Sequence, residues 1–255
     1  MENIQLGIHN LTYVDVTSPD ILVNNIYPNM YKNYYWSDNF SAKYYIAQAK
    51  AGFIAVTDHY EDEELLLPEI QFSYALLDFK DLHISRKVKK LLNVQDLQLE
   101  ISHDIKEVTE QINTSHKNCW LTPRYFEMIK ATQGLDDNFE LISVGIRDNG
   151  ILIAAEIGYI IGKTYTSLSG FSSREKKYCN YGTAQLVLLG QYLEKNKFEF
   201  WNLGQSYMTY KLALGAKIYE RQIFLKRWFS AIYNKNSQII TNTIDLQLYF
   251  MFTSI

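Results

Sequence analysis

The chain has few of the residues that build covalent or metal-bound frameworks. Only two of its 255 residues are cysteine, Cys119 and Cys179, which excludes a disulfide framework and favours a reducing, cytoplasmic setting. The five histidines are scattered along the chain. His59 and His103 lie beside acidic residues, but neither has a paired-ligand spacing. We therefore expect no metal.

Long apolar runs are also missing. The most apolar window, 151–161, is short and contains Glu156, whereas a bilayer span needs roughly 20 apolar residues. The first residues show no basic leader followed by an apolar run, so no signal peptide and no membrane partner are expected. The formal net charge is −3, so a nucleic-acid partner would need a local basic patch.

Familiar catalytic loops are absent as well. The chain contains no Gly-x-Ser-x-Gly elbow and no Walker-type loop. Cys119 precedes Trp120 in a segment that is predicted to be packed within the protein, which disfavours a nucleophilic role for this cysteine. An acyl-CoA enzyme would hold the pyrophosphate on a glycine-rich loop before a helix, but the loop at 172–182 has a single glycine. The sequence therefore gives little support to an acyl-CoA binding site.

Tyrosine is what the chain has in excess, with 20 copies. A tyrosine ring packs while its hydroxyl stays polar, so these residues can build both core and contact surface. Biased codon usage would give the same excess. Hydrophobic residues make up 47% of the chain and charged residues 21%, which is typical of a globular protein with a real core.

Capping residues and turns divide the chain into elements. The first 35 residues have weak periodicity and give no predicted element. Ser41, Ser85 and Thr122 are helix caps, and Pro123 fits a first helical turn. Residues 61–64 are predicted to be a solvated acidic turn. The predicted elements up to residue 134 are a helix over 41–52, strands over 53–57 and 72–79, and helices over 86–92, 100–113 and 122–134.

The clearest pattern is a three-stranded meander. Strands over 139–147 and 151–161 flank Asp148-Asn149-Gly150, a strong hairpin signal, and a tight turn at Gly162 leads into a third strand over 164–169. A meander followed by a helix and a strand is the order of a GNAT-type acyltransferase core. The sequence thus predicts an α+β fold with a mostly antiparallel sheet flanked by helices. The remaining predicted elements are helices over 182–195 and 207–214 and strands over 198–203 and 222–228.

Six short strings, in order, resemble one family. Together they lie between residues 40 and 228. They resemble the leucyl/phenylalanyl-tRNA–protein transferase family in content, order and spacing. The strings are 44–53, Leu-His-Ile-Ser-Arg at 82–86, Trp-Leu-Thr-Pro at 120–123, 142–144 with Asn149-Gly150, Gly-Phe-Ser at 170–172, and Gln205 with Leu-Gly-Ala at 214–216.

The resemblance implies an architecture and a reaction. It implies a small N-terminal α/β domain, set at 1–75, and a GNAT-like aminoacyltransferase domain, set at 76–255. The donor would be aminoacyl-tRNA, carrying a bulky apolar residue such as Leu, Phe or Met. The acceptor would be a protein N-terminus, as in the N-degron pathway, and the enzyme a cytoplasmic monomer with no metal or small cofactor. A GNAT-fold acyl-CoA N-acyltransferase and a non-catalytic RNA- or protein-binding relative remain alternatives.

The resemblance also implies site residues. Gln205 and Asn202 are the catalytic candidates, although a turn role for Gln205 is the plainer alternative. Both positions where the family carries an acid are leucine here, at Leu168 and Leu203. The predicted substrate pocket consists of Leu168, Ser169, Phe171, Leu186, Leu188, Leu189, Tyr192 and Tyr207. The predicted tRNA-binding residues are Trp36, Arg86, Lys87, Lys89, Lys90 and Trp120, for which core packing or a solvated helix face is the alternative.

Overall fold

The computed structural model describes residues 8–94, 97–117 and 119–233. These residues form two compact units. Unit 1 takes the described residues of 1–73, 120–139 and 220–255, and unit 2 takes those of 74–119 and 140–219. Each unit is built from separate segments, so the units do not test a division into contiguous domains. The predicted domains 1–75 and 76–255 therefore stay a prediction.

The helices and strands follow one another along the whole described chain. The helices are α1 (Tyr13–Thr17), α2 (Pro19–Ile21), α3 (Ala42–Lys50), α4 (Arg86–Val94), α5 (Lys106–Ser115), α6 (Pro123–Lys130), α7 (Tyr181–Lys195), α8 (Thr209–Ala213) and α9 (Arg221–Ile232). The strands are β1 (Ile54–Tyr60), β2 (Glu63–Glu69), β3 (Ser73–Leu77), β4 (Glu100–Ser102), β5 (Phe139–Asp148), β6 (Ile151–Ile161), β7 (Thr164–Ser172), β8 (Phe200–Gln205) and β9 (Lys217–Glu220). A π-helical turn covers Leu22–Ile26.

Four helices of unit 1, α1, α2, α3 and α6, begin at capping side chains. Ser41 caps α3, and Thr122 caps α6 with Pro123 in the first turn, as predicted. α1 and α2 were not predicted, although Thr12 forms a capping box with Asp15 and α2 starts at a serine followed by proline. Weak apolar periodicity hid these short helices, and the caps were their only local signal.

Two predictions in unit 1 need correction. The segment 222–228 was predicted to be a strand, but it lies in α9. Its buried residues recur at helical spacing, since Phe224, Trp228 and Ile232 are four residues apart and all lie in the core. The acidic turn is shorter than predicted, because Glu61 takes a φ of 53° and β2 already begins at Glu63 to pair antiparallel with β1.

Buried tyrosines account for much of the core of unit 1. Their hydroxyls reach backbone carbonyls, with Tyr27 donating to Ala51 at 2.9 Å and Tyr44 to Leu11 at 2.8 Å. Because each hydroxyl is satisfied, the rings can be buried without leaving an unpaired polar group. The tyrosine excess therefore serves the core in this unit.

Unit 2 is built on a seven-stranded sheet in the order β4-β5-β6-β7-β8-β3-β9. The recorded antiparallel pairs are β4 with β5, β6 with β7, and β3 with β8, while β7 and β8 are parallel. Helices flank this sheet, so the α+β class with a mostly antiparallel sheet is confirmed. The meander β5–β7, the helix α7 and the parallel strand β8 form the predicted GNAT-like sequence of elements.

The turns of the meander follow the predicted chemistry. Asn149 and Gly150 have φ values of 47° and 81°, and Gly162 has a φ of 54°. Asparagine and glycine tolerate this left-handed region, which tight hairpin turns require. The prediction of one helix over 100–113 is wrong at its start, because Glu100–Ser102 pairs with β5 before α5 begins. β9 was not predicted.

One core cluster fixes the sheet of unit 2 against α4 and α7. Val88 of α4, Val187 and Leu189 of α7, and Trp201 of β8 are fully or almost fully buried in it. A parallel pair such as β7 and β8 needs a crossover, and α7 provides it. No helix of the described ranges is both long and apolar enough to cross a membrane. Residues 234–255, for which no element is predicted, lie outside the described residues.

Candidate active site

The site lies in unit 2, where the pairing of β7 and β8 stops. These strands pair over Thr164–Thr166 and Phe200–Asn202. Past that point each strand is irregular. On β7 the register with β6 shifts between Ser167 and Ser169, so that Leu168 is an extra, bulged residue. On β8, Gly204 takes a φ of 73°. Bulges of this kind are common beside active sites, where they re-aim side chains.

Gln205 ends β8 at this opening, paired with Tyr74 of β3. Its side chain is partly exposed, and its Oε1 accepts a hydrogen bond from the Tyr207 hydroxyl at 2.5 Å. Its backbone carbonyl accepts from Lys211 Nζ at 2.9 Å. An amide can both donate and accept hydrogen bonds, so Gln205 can orient an amine or support a developing oxyanion.

Asn202 is buried, and its amide is already used. Its Oδ1 accepts from the backbone N–H of Gly204 at 2.9 Å, and its Nδ2 donates to Thr166 Oγ1 at 3.4 Å. These bonds hold the irregular turn of β8 that places Gln205. A direct catalytic role for Asn202 stays a prediction, and the geometry favours a positioning role.

Glu156 supplies a carboxyl at this site, although it is not among the predicted site residues. It lies on β6, where its Oε1 accepts from Tyr165 at 2.9 Å and from Ser167 Oγ at 2.7 Å. Trp201 Nε1 in turn donates to Ser167 Oγ at 2.8 Å. Gly158 makes this possible, because a Cβ there would lie 2.3 Å from the Tyr165 hydroxyl oxygen.

Two pKa values at the site move toward neutrality. Burial raises the pKa of Glu156 to about 7, against hydrogen bonds from Ser167 and Tyr165 and the charge of Lys211. Gln185 also lowers that pKa, although its own Nε2 makes no conventional hydrogen bond. Burial lowers the pKa of Lys211 to about 8, against the opposing charge of Glu156. Perturbed pKa values of this kind cluster at functional sites.

Sequence signals for this pair did exist. Glu156 is the one acid among the eleven residues of an otherwise apolar strand, where a carboxyl needs a reason to be buried. Lys211 precedes the Leu-Gly-Ala string by three residues, but nothing in the sequence shows that its ammonium folds back to Gln205.

Two of the motif strings meet in the structure. The backbone N–H of His83 donates to the carbonyl of Leu214 at 2.8 Å, which joins Leu-His-Ile-Ser-Arg to Leu-Gly-Ala. Gly215 has a φ of 109°, and a Cβ there would lie 1.9 Å from the carbonyl oxygen of Asp81. Only glycine allows this close approach.

The basic face lies on α4, which begins at Arg86, the last residue of the Leu-His-Ile-Ser-Arg string. Ser85 Oγ accepts from the Val88 N–H at 3.3 Å at the start of α4. Val88 is buried, whereas Arg86, Lys87, Lys89 and Lys90 are all exposed on the same helix. Four exposed cations form a local patch that suits phosphates. Their role in tRNA binding stays a prediction.

The predicted pocket residues do not share one environment. Leu189 is fully buried in the core, and Leu186 and Leu188 pack against core clusters because α7 covers the sheet with these residues. Their role as pocket walls stays a prediction. Leu168, Ser169 and Phe171 are half-buried on β7, and Tyr192 and Tyr207 are exposed. Tyr207 precedes α8, because the helix predicted over 207–214 begins at Thr209.

The two predicted tryptophans lie in unit 1. Trp36 pairs its backbone with residues 9–11, and its ring is partly exposed. Trp120 packs edge-on against Tyr125, with ring centroids 4.9 Å apart. The structure gives Trp120 a packing role, and stacking of either ring on a tRNA base stays a prediction.

Comparisons with solved structures found distant likenesses. The C-terminal domain (DUF2156) of a protein assigned as a lysylphosphatidylglycerol synthetase from Agrobacterium fabrum has 16% identity and a TM-score of 0.39, covering 71% of this chain and 57% of that one. FemX has 11% identity and a TM-score of 0.45, covering 82% and 76%. L-PGS from Bacillus licheniformis has 10% identity and a TM-score of 0.38, covering 84% and 64%.

At these scores the likenesses carry no statement about chemistry. The chain spans less than two thirds of the length of the first and third of these structures. A comparison with curated proteins found no match. The family described as leucyl/phenylalanyl-tRNA protein transferase matches residues 76–228, more than half of the chain. The match covers the sheet of unit 2 except the first part of β3, together with the basic helix α4 and Gln205, and the chain therefore belongs to the leucyl/phenylalanyl-tRNA protein transferase family.

Proposed function

We propose that this protein transfers an amino acid from aminoacyl-tRNA to the N-terminal amine of an acceptor protein. Family membership supports aminoacyl-tRNA transfer as the general activity. The observation that carries the proposal is the partly exposed amide of Gln205 at the end of β8, held by the turn of Asn202 and Gly204 and by Lys211.

The transfer reaction requires little of the protein beyond positioning the amine and the ester. The neutral amine attacks the ester carbonyl, a C–N bond forms, the ester C–O bond breaks, and the ribose hydroxyl leaves with the proton that the amine loses. The ester is already activated, so bringing amine and ester together supplies much of the rate. Gln205 cannot act as a strong base, but it can orient the amine through Oε1 or donate to the oxyanion through Nε2.

The exposed cations of α4 fit the donor. tRNA is a polyanion, and phosphate contacts need positive charge more than shape. The half-buried Leu168 and Phe171 on β7 suit a bulky apolar side chain such as Leu, Phe or Met. The N-degron role, a cytoplasmic location and a monomeric state belong to this proposal as its finer parts.

The direct test is a transfer assay. The purified protein is incubated with tRNA charged separately with radiolabelled leucine, phenylalanine or methionine, together with a protein bearing an N-terminal Arg or Lys. We expect label in the protein, abolished by prior ribonuclease treatment. A folded sample that labels no acceptor from any donor would contradict the proposal and turn attention to acyl-CoA or to a binding function without turnover.

Gln205→Ala tests the proposed site. We expect the rate of transfer to fall about 10²-fold, the loss typical of one oxyanion donor, with an unchanged melting temperature. Gln191→Ala is the matched control, because Gln191 is an exposed glutamine on α7. Full activity in a folded Gln205→Ala variant would remove this amide from the mechanism.

A further inference from the structure

Lys211 and Glu156 are two buried ionisable side chains that positioning by Gln205 alone does not require. They are 4% and 5% exposed. Charged groups are rarely buried to this extent unless they are paired, because each loses its hydration. A hydrogen bond to the Gln205 carbonyl could come from a neutral donor, so the charge itself calls for a reason.

Lys211 is held at both of its ends. Its backbone carbonyl accepts from the N–H of Ala216 at 3.0 Å, within the Leu-Gly-Ala string. Its Nζ donates to the carbonyl of Gln205 at 2.9 Å. The side chain therefore spans from the docked Leu-Gly-Ala segment to the end of β8. A shift of its ammonium would move the residue that carries the candidate catalytic amide.

Glu156 is held just as firmly. The hydroxyls of Tyr165 and Ser167 fix its Oε1, and Trp201 fixes Ser167. Its negative charge favours the protonated form of Lys211, and the positive charge of Lys211 favours the ionised form of Glu156. Each charge therefore shifts the pKa of the other group, while burial is the larger cause of both pKa shifts.

We propose that Lys211 is a positioning residue for Gln205, so that aminoacyl transfer requires its ammonium form, with the buried Glu156 as a nearby counter-charge. The inference rests on the transfer reaction proposed above. No proton passes from the pair to the substrates in this scheme. The ammonium makes a charge-assisted hydrogen bond that keeps the end of β8, and thus the Gln205 amide, in place.

The pH dependence gives the inference its signature. As the pH rises through about 8, Lys211 loses its proton and the charge-assisted bond weakens, so kcat should fall on the alkaline side. The other ionisable groups near Glu156 are Tyr165 on β7 and Tyr210 on α8. Burial raises both of their pKa values, that of Tyr210 to about 12, so neither titrates in this range. The acceptor amine has a pKa of about 8 and shapes only the acidic side.

The experiment measures kcat and KM for aminoacyl-tRNA between about pH 6 and pH 9, a range that brackets both pKa values. The proteins are the wild type, Lys211→Met, Glu156→Gln and the double variant. Lys211→Met should lower kcat about tenfold, the equivalent of one charge-assisted bond, with little change in KM, and should abolish the alkaline fall. Glu156→Gln should move that fall to lower pH. Lys217→Met is the control, since Lys217 is an exposed lysine bonded to Asp81.

The outcomes separate this inference from the proposed function. A wild type that transfers nothing contradicts the function, and the inference falls with it. A wild type that transfers, with an alkaline fall unmoved by Glu156→Gln, overturns the inference alone. If Lys211→Met does not fold, Glu156→Gln still tests the inference. Glutamine keeps the shape of the side chain, and its carbonyl oxygen can accept the same hydrogen bonds from Tyr165 and Ser167. A double variant whose change in melting temperature is more favourable than the sum of the two single changes would support an interaction between the charges, and additive changes would contradict it.

Discussion

Two buried cations, one in each unit, hold backbone carbonyls in different ways. In unit 1, Arg221 donates to the carbonyl of Gln71 at 3.0 Å and to that of Ile70 at 2.7 Å, and it also reaches the carbonyls of Ile26, Tyr27, Asn29 and Lys32. In unit 2, Lys211 holds the single carbonyl of Gln205. Both side chains are almost completely buried.

The difference lies in how many bonds each cation makes and in whether its charge can change. A guanidinium is planar, offers five donors and stays protonated, so it suits a permanent brace between chain segments. An ammonium can lose its proton, and burial brings the pKa of Lys211 to about 8. A buried arginine therefore stabilises the fold at every physiological pH, while a buried lysine can make a site sensitive to pH.

Removing the Arg221 guanidinium from unit 1 should have the largest effect on the free energy of unfolding. Arg221→Met leaves several buried carbonyls without donors, and each unsatisfied group costs about 1–3 kcal/mol. We expect the free energy of unfolding to fall by about 4 kcal/mol, near the upper end for single substitutions. Urea unfolding followed by tryptophan fluorescence measures it. Arg221→Lys, which keeps the charge but not the fork of donors, should lose less, and equal losses would mean that charge alone matters.

The second effect concerns pH and Glu156. The pKa of this carboxyl rises from 4.5 to about 7 on folding, so its protonated form stabilises the native state at low pH. That contribution is lost as the pH rises from about 4.5 to 7, and a shift of this size corresponds to about 3 kcal/mol.

Glu156→Gln should abolish this loss. Relative to the wild type, the variant should gain stability between pH 5 and pH 7, a window that lies inside the span of the two pKa values of about 4.5 and 7. Unfolding in urea at several pH values measures the difference. The titration of Lys211 in the variant has the same sign, because a lysine with a lowered pKa destabilises the fold as the pH falls. A stability difference that does not vary with pH would contradict the raised pKa of Glu156.

The smallest effect on stability is expected from cations that are exposed. Lys89→Ala and Lys90→Ala on α4 should change the free energy of unfolding by less than about 0.5 kcal/mol. Each should instead weaken tRNA binding and lower the salt slope of the binding constant by about 1, as for one lost phosphate contact. Filter binding at several salt concentrations measures this. Unchanged slopes in both variants would exclude this face from the tRNA-binding surface.

Much of the sheet could be predicted because its signals are local. Alternating apolar residues, the Asn149-Gly150 turn and the helix after the meander fixed β5 to β7 and α7 with nearly correct ends. The strand predicted over 222–228 is wrong because the four-residue spacing of Phe224, Trp228 and Ile232, which suits a helix, extends beyond that window. β4 and β9 are only three and four residues long, and strands this short carry little pattern.

The candidate site was only partly within reach of the sequence. Order and spacing of short strings led to the family and to Gln205, because those strings are contiguous in the chain. Glu156 and Lys211 are 55 positions apart in the numbering and belong to a strand and a short helix. Their pairing depends on how the strands and α8 pack, which no local pattern records.

The sequence by itself determined the meander with its tight turns, the helix that follows it, the helix caps at Ser41, Ser85 and Thr122, and the family, since each depends on residues that are neighbours along the chain. The tertiary structure alone decided which ionisable groups are buried and which meet. Burial removes water from Glu156 and Lys211, and only the packed fold brings a hydroxyl, an ammonium and a carbonyl within hydrogen-bonding distance. Desolvation and pairing set the pKa values of the site, and both are properties of the fold and not of the residues alone.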